Sequence, residues 1–165
     1  HTRLRTVTGV QTCALPIFGL KPKTKVKELG NTIGDELLKV HVSYGPLVQK
    51  LIKKFNPAGK ARAVKGLAHI TGGGFVDNIP RVLPKNCDVI VRKGSWEMLP
   101  IFKMIEAKSG VPDAELYQVF NMGIGMTVIC EASKSAALLK AIQSEGHRAW
   151  AIGEVVKGSG EAHVQ

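Results

Sequence analysis

A run of three glycines lies in the part of the chain that is richest in groups able to bind an anion. Gly72, Gly73 and Gly74 follow the apolar stretch 66–70, which predicts the end of a β-strand. Glycine has no Cβ atom, so its backbone N–H groups can approach an anion closely, and a helix that starts just beyond adds the positive end of its dipole. The pattern therefore predicts an anion-binding turn.

Other groups near this turn could complete such a site. The hydroxyl group of Thr71 can donate to anionic oxygens, and Arg81 can present a fork of donors to a phosphate. A second glycine-containing stretch, 121–125, places Asn121 beside a backbone that two glycines leave open. We predict substrate or phosphate binding by Thr71, Gly72, Gly73, Gly74, Asn78, Arg81, Asn121, Gly123 and Gly125, with His69 as a further candidate.

These residues also have purely structural interpretations. The glycine run can be a tight strand-to-helix connection, Arg81 can pair with Asp77, and Gly123 with Gly125 can permit close backbone packing. His69 can be a satisfied core histidine. The five histidines and three cysteines show no metal-ligand spacing, and no nucleophile stands out. We therefore name no catalytic residue and no metal site.

Apolar patterns predict the elements that must position these groups. Helices are expected from Pro46 to Phe55, from Trp96 to Lys108, from an Asp113 cap to Phe120, and from a Ser133 cap to Gly146. Strands are expected at 63–70, 89–91, 126–130 and 149–156, and the Gly- and Ser-rich tail from Lys157 is expected to fray. This order predicts an α+β fold with a mixed sheet flanked by helices.

The formal net charge of +10 is distributed unevenly. Residues 18–65 contain eleven Lys and Arg against three Asp and Glu, whereas residues 66–165 contain ten of each. No aromatic residues alternate with the lysines, so the stacking platform of a nucleic-acid-binding surface is missing. A solvated basic face, or one that attracts phosphorylated metabolites, is the better interpretation, and we expect no nucleic-acid partner.

Residues 7–17 resemble the translation of a common sequencing-adapter primer. A secretory signal is the competing interpretation, but Thr and Gln interrupt the apolar core of roughly 7–15 residues that such a signal needs. No apolar stretch reaches the roughly 20 residues of a membrane helix. We expect residues 1–17 to be an artefact, 18–45 a linker or arm, and 46–165 the folded domain of a soluble, cytoplasmic chain.

Four stretches resemble a single enzyme family. Residues 69–84, His-Ile-Thr-Gly-Gly-Gly-Phe-Val-Asp-Asn-Ile-Pro-Arg-Val-Leu-Pro, resemble a signature of aminoimidazole ribonucleotide (AIR) synthetase, the phosphoribosylformylglycinamidine cyclo-ligase of purine biosynthesis. Residues 120–126 match a Phe-Asn-x-Gly-x-Gly-Met motif, 149–153 the last core strand, and 29–38 the stretch that leads into the C-terminal domain. The resemblance covers about residues 18–156.

This resemblance implies a fold and an activity. The fold would be that of the synthetase C-terminal domain, with a partial ferredoxin-like strand–helix–strand topology. The intact enzyme would convert formylglycinamidine ribonucleotide and ATP, with Mg²⁺, to AIR, ADP and phosphate, as a cytoplasmic homodimer in IMP biosynthesis. In the family an N-terminal half, absent from this sequence, supplies most contacts to ATP and metal and the main dimer interface. We expect the fragment alone to be inactive.

One segment departs from the family. The family has Pro-Thr-Arg-x-Tyr after a Leu-Leu pair, whereas this chain has Val40, His41 and Val42, and Tyr44 alone agrees. No role of that threonine or arginine can be carried over to this chain.

Two alternatives to the cyclo-ligase remain open. The same module occurs in related ATP-using enzymes, such as formylglycinamidine ribonucleotide synthetase and selenophosphate or thiamine-phosphate kinases, although the Ile-Pro-Arg-Val-Leu-Pro continuation at 79–84 favours the cyclo-ligase. A stand-alone domain that binds phosphorylated ligands without chemistry is the second alternative.

Overall fold

The computed structural model describes residues 19–165, so the adapter-like segment lies outside the described residues. The elements in chain order are β1 (Lys25–Val26), β2 (Asn31–Thr32), α1 (Ile33–Leu37), α2 (Gly45–Phe55), β3 (Val64–His69), α3 (Gly74–Asn78), β4 (Cys87–Val91), α4 (Pro100–Ser109), α5 (Asp113–Val119), β5 (Met126–Cys130), α6 (Ser135–Ser144), β6 (Gly153–Lys157) and β7 (Ala162–Val164). Single 3₁₀ turns lie at Lys27–Leu29, Pro80–Val82 and Ala132–Lys134.

Small sheets carry the strands of this fold. Strands β3 and β5 pair antiparallel, from His69 opposite Met126 to Val64 opposite Cys130. Strand β4 is the centre of a mixed three-stranded sheet, antiparallel to β6 and parallel to β7. The α+β class with sheets flanked by helices is therefore confirmed. The order β5–α6–β6 is present along the chain, with its two strands paired in different sheets.

Two apolar clusters hold the elements together. The larger contains the fully buried side chains of Ile33, Phe75, Ile105 and Met122 and lies around α3, α4 and α5. The smaller lies between α2, α6 and β3, and its buried members are Leu47, Leu51, Val64, Leu138 and Ala141. Helix α2 turns Leu47 and Leu51 inward and leaves its lysines exposed, as the periodicity predicts.

Residues 18–45, expected to be a linker or arm, fold onto the domain over 25–37. Thr32 caps α1, because its hydroxyl accepts a hydrogen bond from the backbone N–H of Asp35 at 3.1 Å. The next residue, Ile33, is completely buried in the larger cluster. The lysines from Lys21 to Lys27 are exposed to solvent. The apolar side chains that follow α1 stay exposed, most of all Val40 at 95%.

The helix predicted from Trp96 begins later, at Pro100. Leu99 is extended, with ψ near 145°, because the ring of a following proline disfavours the helical conformation. Trp96 is instead buried in the larger cluster, where its indole Nε1 donates to the carbonyl oxygen of Met122 at 3.0 Å. In the sequence, Pro100 inside the apolar periodic stretch indicates this helix boundary.

Both predicted helix caps are wrong. Pro112 occupies the cap position of α5, and Asp113 is the first helical residue, where its carboxylate pairs with Lys93. Helix α6 begins at Ser135, because Ser133 lies in the preceding 3₁₀ turn. A serine or aspartate before an apolar run marks a helix start to within a few residues, and the tertiary contacts decide between neighbouring positions.

The tail expected to fray after Lys157 is ordered. Strand β7 pairs with β4, with Ala162 opposite Val89 and Val164 opposite Val91. One carboxylate oxygen of Asp88 accepts hydrogen bonds from the backbone N–H groups of Ser159, Gly160 and Glu161, at 2.7, 2.9 and 2.8 Å. The Gly- and Ser-rich composition corresponds to a turn. The backbone N–H groups of that turn donate to Asp88, which lies more than 70 residues earlier in the chain.

The Asp88 contacts make the tail sensitive to acid. Hydrogen bonds from the backbone, that of Glu161 first, lower the pKa of Asp88 to about 2. A carboxylate whose pKa is lowered in the folded state stabilises the fold at every pH above its ordinary pKa of about 3.9. This stabilisation is lost as the pH falls from about 4 towards 2. We expect the Ser159–Glu161 amides to lose hydrogen-exchange protection below about pH 4 in the wild type, and already at neutral pH in Asp88→Ala. Equal protection in Asp88→Ala and in a control, Asp77→Asn, would contradict this account.

Candidate functional site

The predicted anion-binding turn links β3 to α3. The backbone N–H of Ile70, just after β3, donates to the carbonyl oxygen of Gly125 at 2.9 Å, and the N–H of Gly74 donates to the carbonyl of Thr71 at 3.1 Å. Gly73 and Gly74 have φ angles of 93° and 54°, which L side chains rarely adopt. The chain therefore reverses within three residues and enters α3.

The three glycines differ in what surrounds them. A Cβ atom on Gly74 would overlap the carbonyl oxygen of Tyr117 and lie 2.9 Å from that of Phe120. On Gly73 it would lie 2.7 Å from the side chain of Asp77. A Cβ atom on Gly72 would meet no heavy atom within 4 Å, and the φ angle of Gly72 is not in the left-handed region. Gly74 therefore permits packing, while Gly72 opens the turn to solvent.

Two backbone donors of the turn are unpaired. The N–H groups of Gly72 and Gly73 have no hydrogen-bond acceptor within residues 19–165. Thr71 and Gly72 are exposed, and Gly73 is half-buried. Adjacent unpaired N–H groups in a turn form a concave site for an anion, because each carries a partial positive charge. The turn can thus receive anionic oxygens at Gly72 and Gly73, with the Thr71 hydroxyl beside them.

Asn78 braces this turn through hydrogen bonds from its side chain. Its side-chain amide donates to the carbonyl oxygens of Gly72, at 3.2 Å, and Gly74, at 2.8 Å, and its own carbonyl oxygen lies 3.5 Å from the Thr71 hydroxyl. The residue is 5% exposed. The observed contacts of Asn78 therefore shape the turn, and its predicted contact with a ligand stays a prediction.

A second tight turn lies at 121–124. The side-chain oxygen of Asn121 accepts from the N–H of Gly123 at 3.0 Å, and its carbonyl oxygen accepts from the N–H of Ile124 at 2.9 Å. Met122 and Gly123 both have positive φ, 48° and 94°, as in a type I′ turn. A fully buried methionine in this conformation is strained, so the surrounding core must hold it there.

Gly125 follows the second turn and admits an aromatic ring to the site. A Cβ atom there would strike the hydroxyl group of Tyr44, so glycine alone allows this approach. The Tyr44 ring also meets His69, with centroids 6.0 Å apart, and His41, at 5.9 Å, while the two imidazole centroids lie 5.4 Å apart. Burial raises the pKa of the Tyr44 hydroxyl.

Sequence reasoning missed two members of this ring cluster. His69 was a candidate, but His41 and Tyr44 were assigned no role. The tyrosine was visible as the agreeing residue of the divergent Val40–Tyr44 segment, and His41 gave no signal, because a loop histidine has no periodicity. The position of α2, which starts at Gly45, brings both rings to the end of β3.

Arg81 stands apart from these contacts. It lies exposed on the 3₁₀ turn Pro80–Val82, and its side chain has no hydrogen bond or ion pair within residues 19–165. The pairing with Asp77 considered from the sequence is therefore not formed among the described residues. The guanidinium group is available to a ligand.

A cavity of about 720 Å³ opens beside the second turn, between β5 and residues 147–155. Most of its lining is apolar, and it shares Tyr44, Gly123 and Gly125 with the site. This volume is within the range of small-molecule sites.

Metal ligands are not grouped in the described part of the chain. Residues 19–165 contain no cluster of three His, Cys, Asp or Glu side chains that could hold a metal ion. These residues therefore form no cage made of protein ligands alone around a metal ion. Among the helices of the same residues, none is long and apolar enough to cross a membrane.

The glycines of the first turn should respond differently to one added methyl group. We expect Gly74→Ala to lower the free energy of unfolding by about 2–5 kcal/mol, because the Cβ overlaps backbone oxygens in a left-handed conformation. Gly72→Ala should change it by less than about 0.5 kcal/mol, because its Cβ meets open space. Urea unfolding of both variants measures the difference. Similar values would mean that Gly74 is not packed against α5.

Comparison with known proteins agrees with this fold. The family model for the C-terminal domain of AIR synthase related proteins matches residues 23–165. The phosphoribosylformylglycinamidine cyclo-ligase of Caldicellulosiruptor saccharolyticus is 39% identical over 149 residues, which cover 87% of this chain and 42% of that protein. The cyclo-ligase of Geobacillus thermodenitrificans is 41% identical over 128 residues, or 78% and 35%. That of Syntrophus aciditrophicus is 39% identical over 136 residues, or 82% and 37%.

The chain spans about two-fifths of the length of these curated relatives. The family match extends into the segment that had been expected to be a linker, in agreement with the burial of Ile33. With 143 of its 165 residues matched, this chain belongs to the AIR synthase related protein family and carries its C-terminal domain.

Proposed function

We propose that the chain is the C-terminal part of a phosphoribosylformylglycinamidine cyclo-ligase. The intact enzyme converts formylglycinamidine ribonucleotide and ATP to aminoimidazole ribonucleotide, ADP and phosphate, on the route to IMP. The unpaired N–H groups of Gly72 and Gly73, beside the Thr71 hydroxyl, support this proposal best, because the substrate is a phosphate monoester. The names of the similar proteins support the choice of reaction.

The described residues bind and orient in this proposal. Ring closure requires the amidine nitrogen to reach the activated amide carbon, so the two ends of the substrate must be fixed relative to each other. The Asn78 brace keeps the turn rigid, and a rigid donor pair loses little entropy when it binds an anionic oxygen. We assign ATP and Mg²⁺ to other parts of the intact protein, which we propose to be a cytoplasmic homodimer.

The turn can be tested with a substitution that leaves the fold intact. We expect Gly72→Ala to weaken binding of ribose 5-phosphate to the 165-residue chain at least threefold, because the Cβ projects where the anion lies. Gly66→Ala is the matched control: it adds the same methyl group within β3, in ordinary contact with Ile129 at 3.4 Å. NMR titration gives both dissociation constants. Equal weakening in the two variants, or in neither, would contradict binding at the turn.

The isolated chain should not catalyse the reaction. We expect no ADP release above background when the purified chain is incubated with ATP, Mg²⁺ and formylglycinamidine ribonucleotide, because we assign the ATP and Mg²⁺ contacts to other parts of the intact protein. A coupled ADP assay measures this. Substrate-dependent ADP release, abolished by Gly72→Ala, would place the nucleotide site within this chain and overturn our assignment.

A further inference from the structure

Three ring side chains meet beside the glycine turn in an arrangement that the proposed reaction does not explain. His41 lies in the loop between α1 and α2, Tyr44 directly before α2, and His69 at the end of β3. The three centroid distances are between 5.4 and 6.0 Å, and each pair is close to edge-on. His69 is two residues from Thr71, so the cluster adjoins the unpaired donors of the turn.

The polar atoms of these rings are largely free. Nδ1 of His41 lies 2.8 Å from the carbonyl oxygen of Val42, and since a carbonyl can only accept, Nδ1 carries a proton and donates. This leaves Nε2 of His41 for another partner. Within residues 19–165, the imidazole of His69 and the hydroxyl of Tyr44 have no hydrogen bond, and neither histidine pairs with a carboxylate.

The ionisation of Tyr44 fits a donor role. Because burial raises its pKa above the ordinary value of 10.0, the hydroxyl keeps its proton at neutral pH. Two imidazoles without acidic partners, and one protonated phenol, form a cluster of potential donors with no negative charge of its own. A carboxylate paired with an imidazole would favour a cation, and within residues 19–165 the histidine that pairs with carboxylates is His163, outside the cluster.

His41 contacts His69, with ring centroids 5.4 Å apart, and both residues are exposed to solvent. A ligand can therefore reach both imidazoles from solvent.

We propose that His41, His69 and the Tyr44 hydroxyl form a second anion-binding subsite, which holds a phosphoryl group next to the glycine turn. Each protonated imidazole donates one N–H to a phosphoryl oxygen, and Tyr44 donates its O–H. The identity of the ligand as a phosphorylated substrate rests on the proposed function, whereas the capacity to bind an anion rests on the ring cluster.

A test uses the full 165-residue chain and inorganic sulfate, whose charge does not change between pH 5 and 8. Imidazole ring resonances in NMR spectra report which histidines respond. We expect sulfate to shift the His41 and His69 resonances and to bind at least threefold more weakly in His41→Thr, which removes one imidazole from the cluster. Tyr44→Phe should weaken binding less, since one neutral donor is lost. His147→Thr, which changes a histidine outside the cluster, should bind like the parent.

The pH profile separates this role from a structural one. His41 is faced by Tyr44 from the start of α2 and by His69 from β3, and the nearest lysine in sequence, Lys39, is paired with Glu36. Histidine changes charge between pH 5 and 8, so sulfate should bind more tightly at pH 6 than at pH 8. His41→Thr should lose part of this dependence while its thermal midpoint stays within a few degrees of the parent.

The outcomes are distinguishable. If sulfate affinity and its pH profile are unchanged in His41→Thr while Gly72→Ala weakens ribose 5-phosphate binding, the subsite is wrong and the proposed function stands. If His41→Thr weakens sulfate binding while Gly72→Ala leaves ribose 5-phosphate binding unchanged, the proposed function loses its support and the subsite stands. If micromolar Zn²⁺ shifts the two imidazoles and sulfate at tens of millimolar does not, the pair is a metal site and the anion proposal is overturned.

Discussion

The backbone of Gly74 lies so close to the carbonyl oxygens of Tyr117 and Phe120 that a Cβ atom on this residue would collide with them. This contact joins the start of α3 to the end of α5 and fixes the glycine turn relative to the larger apolar cluster. Phe75, the next residue, is fully buried there, with its ring 5.6 Å from Trp96 and 6.3 Å from Tyr117. The solvent-facing side of the turn is therefore anchored by a packing constraint on its inner side.

A second constraint acts through the neighbouring turn. The positive φ of Met122 is held in place because its side chain is buried and its carbonyl accepts from Trp96. That turn delivers Gly125, whose carbonyl receives the N–H of Ile70 and whose missing side chain admits Tyr44. One tryptophan thus links the core to both turns. Met122 is the one non-glycine residue with a positive φ among the described residues, so this backbone strain lies in the second turn.

The electrostatics of the chain are divided between surface and site. Ion pairs such as Lys50–Glu145, at 2.5 Å, and Lys65–Glu131, at 2.8 Å, are largely exposed and contribute little to stability. The lysine surplus of the first part of the chain is likewise solvated. At the glycine turn, the unpaired backbone N–H groups of Gly72 and Gly73 carry partial positive charge without a formal charge. Donors of this kind can select an anion by geometry.

Local patterns in the sequence predicted a large part of the fold. Apolar periodicity located α2, β3 and β5 closely, and the glycine run located the first turn, because these signals depend on neighbouring residues. The start of α4 and the caps of α5 and α6 were wrong by up to a few residues, since several positions satisfied the same local rule. Strand β7 was missed because three residues carry little pattern and its partner, β4, lies about 70 residues away.

The sequence by itself determined the family, the α+β class and the residues of the glycine turn. The tertiary structure alone decided that Gly72 faces solvent while Gly74 is packed, that Asn78 braces the turn, and that His41 and Tyr44 reach His69. The physical reason is that a residue's type limits which contacts it can make, whereas the contacts themselves depend on side chains brought from distant parts of the chain. Three adjacent glycines read alike in sequence, and their surroundings give each a different role.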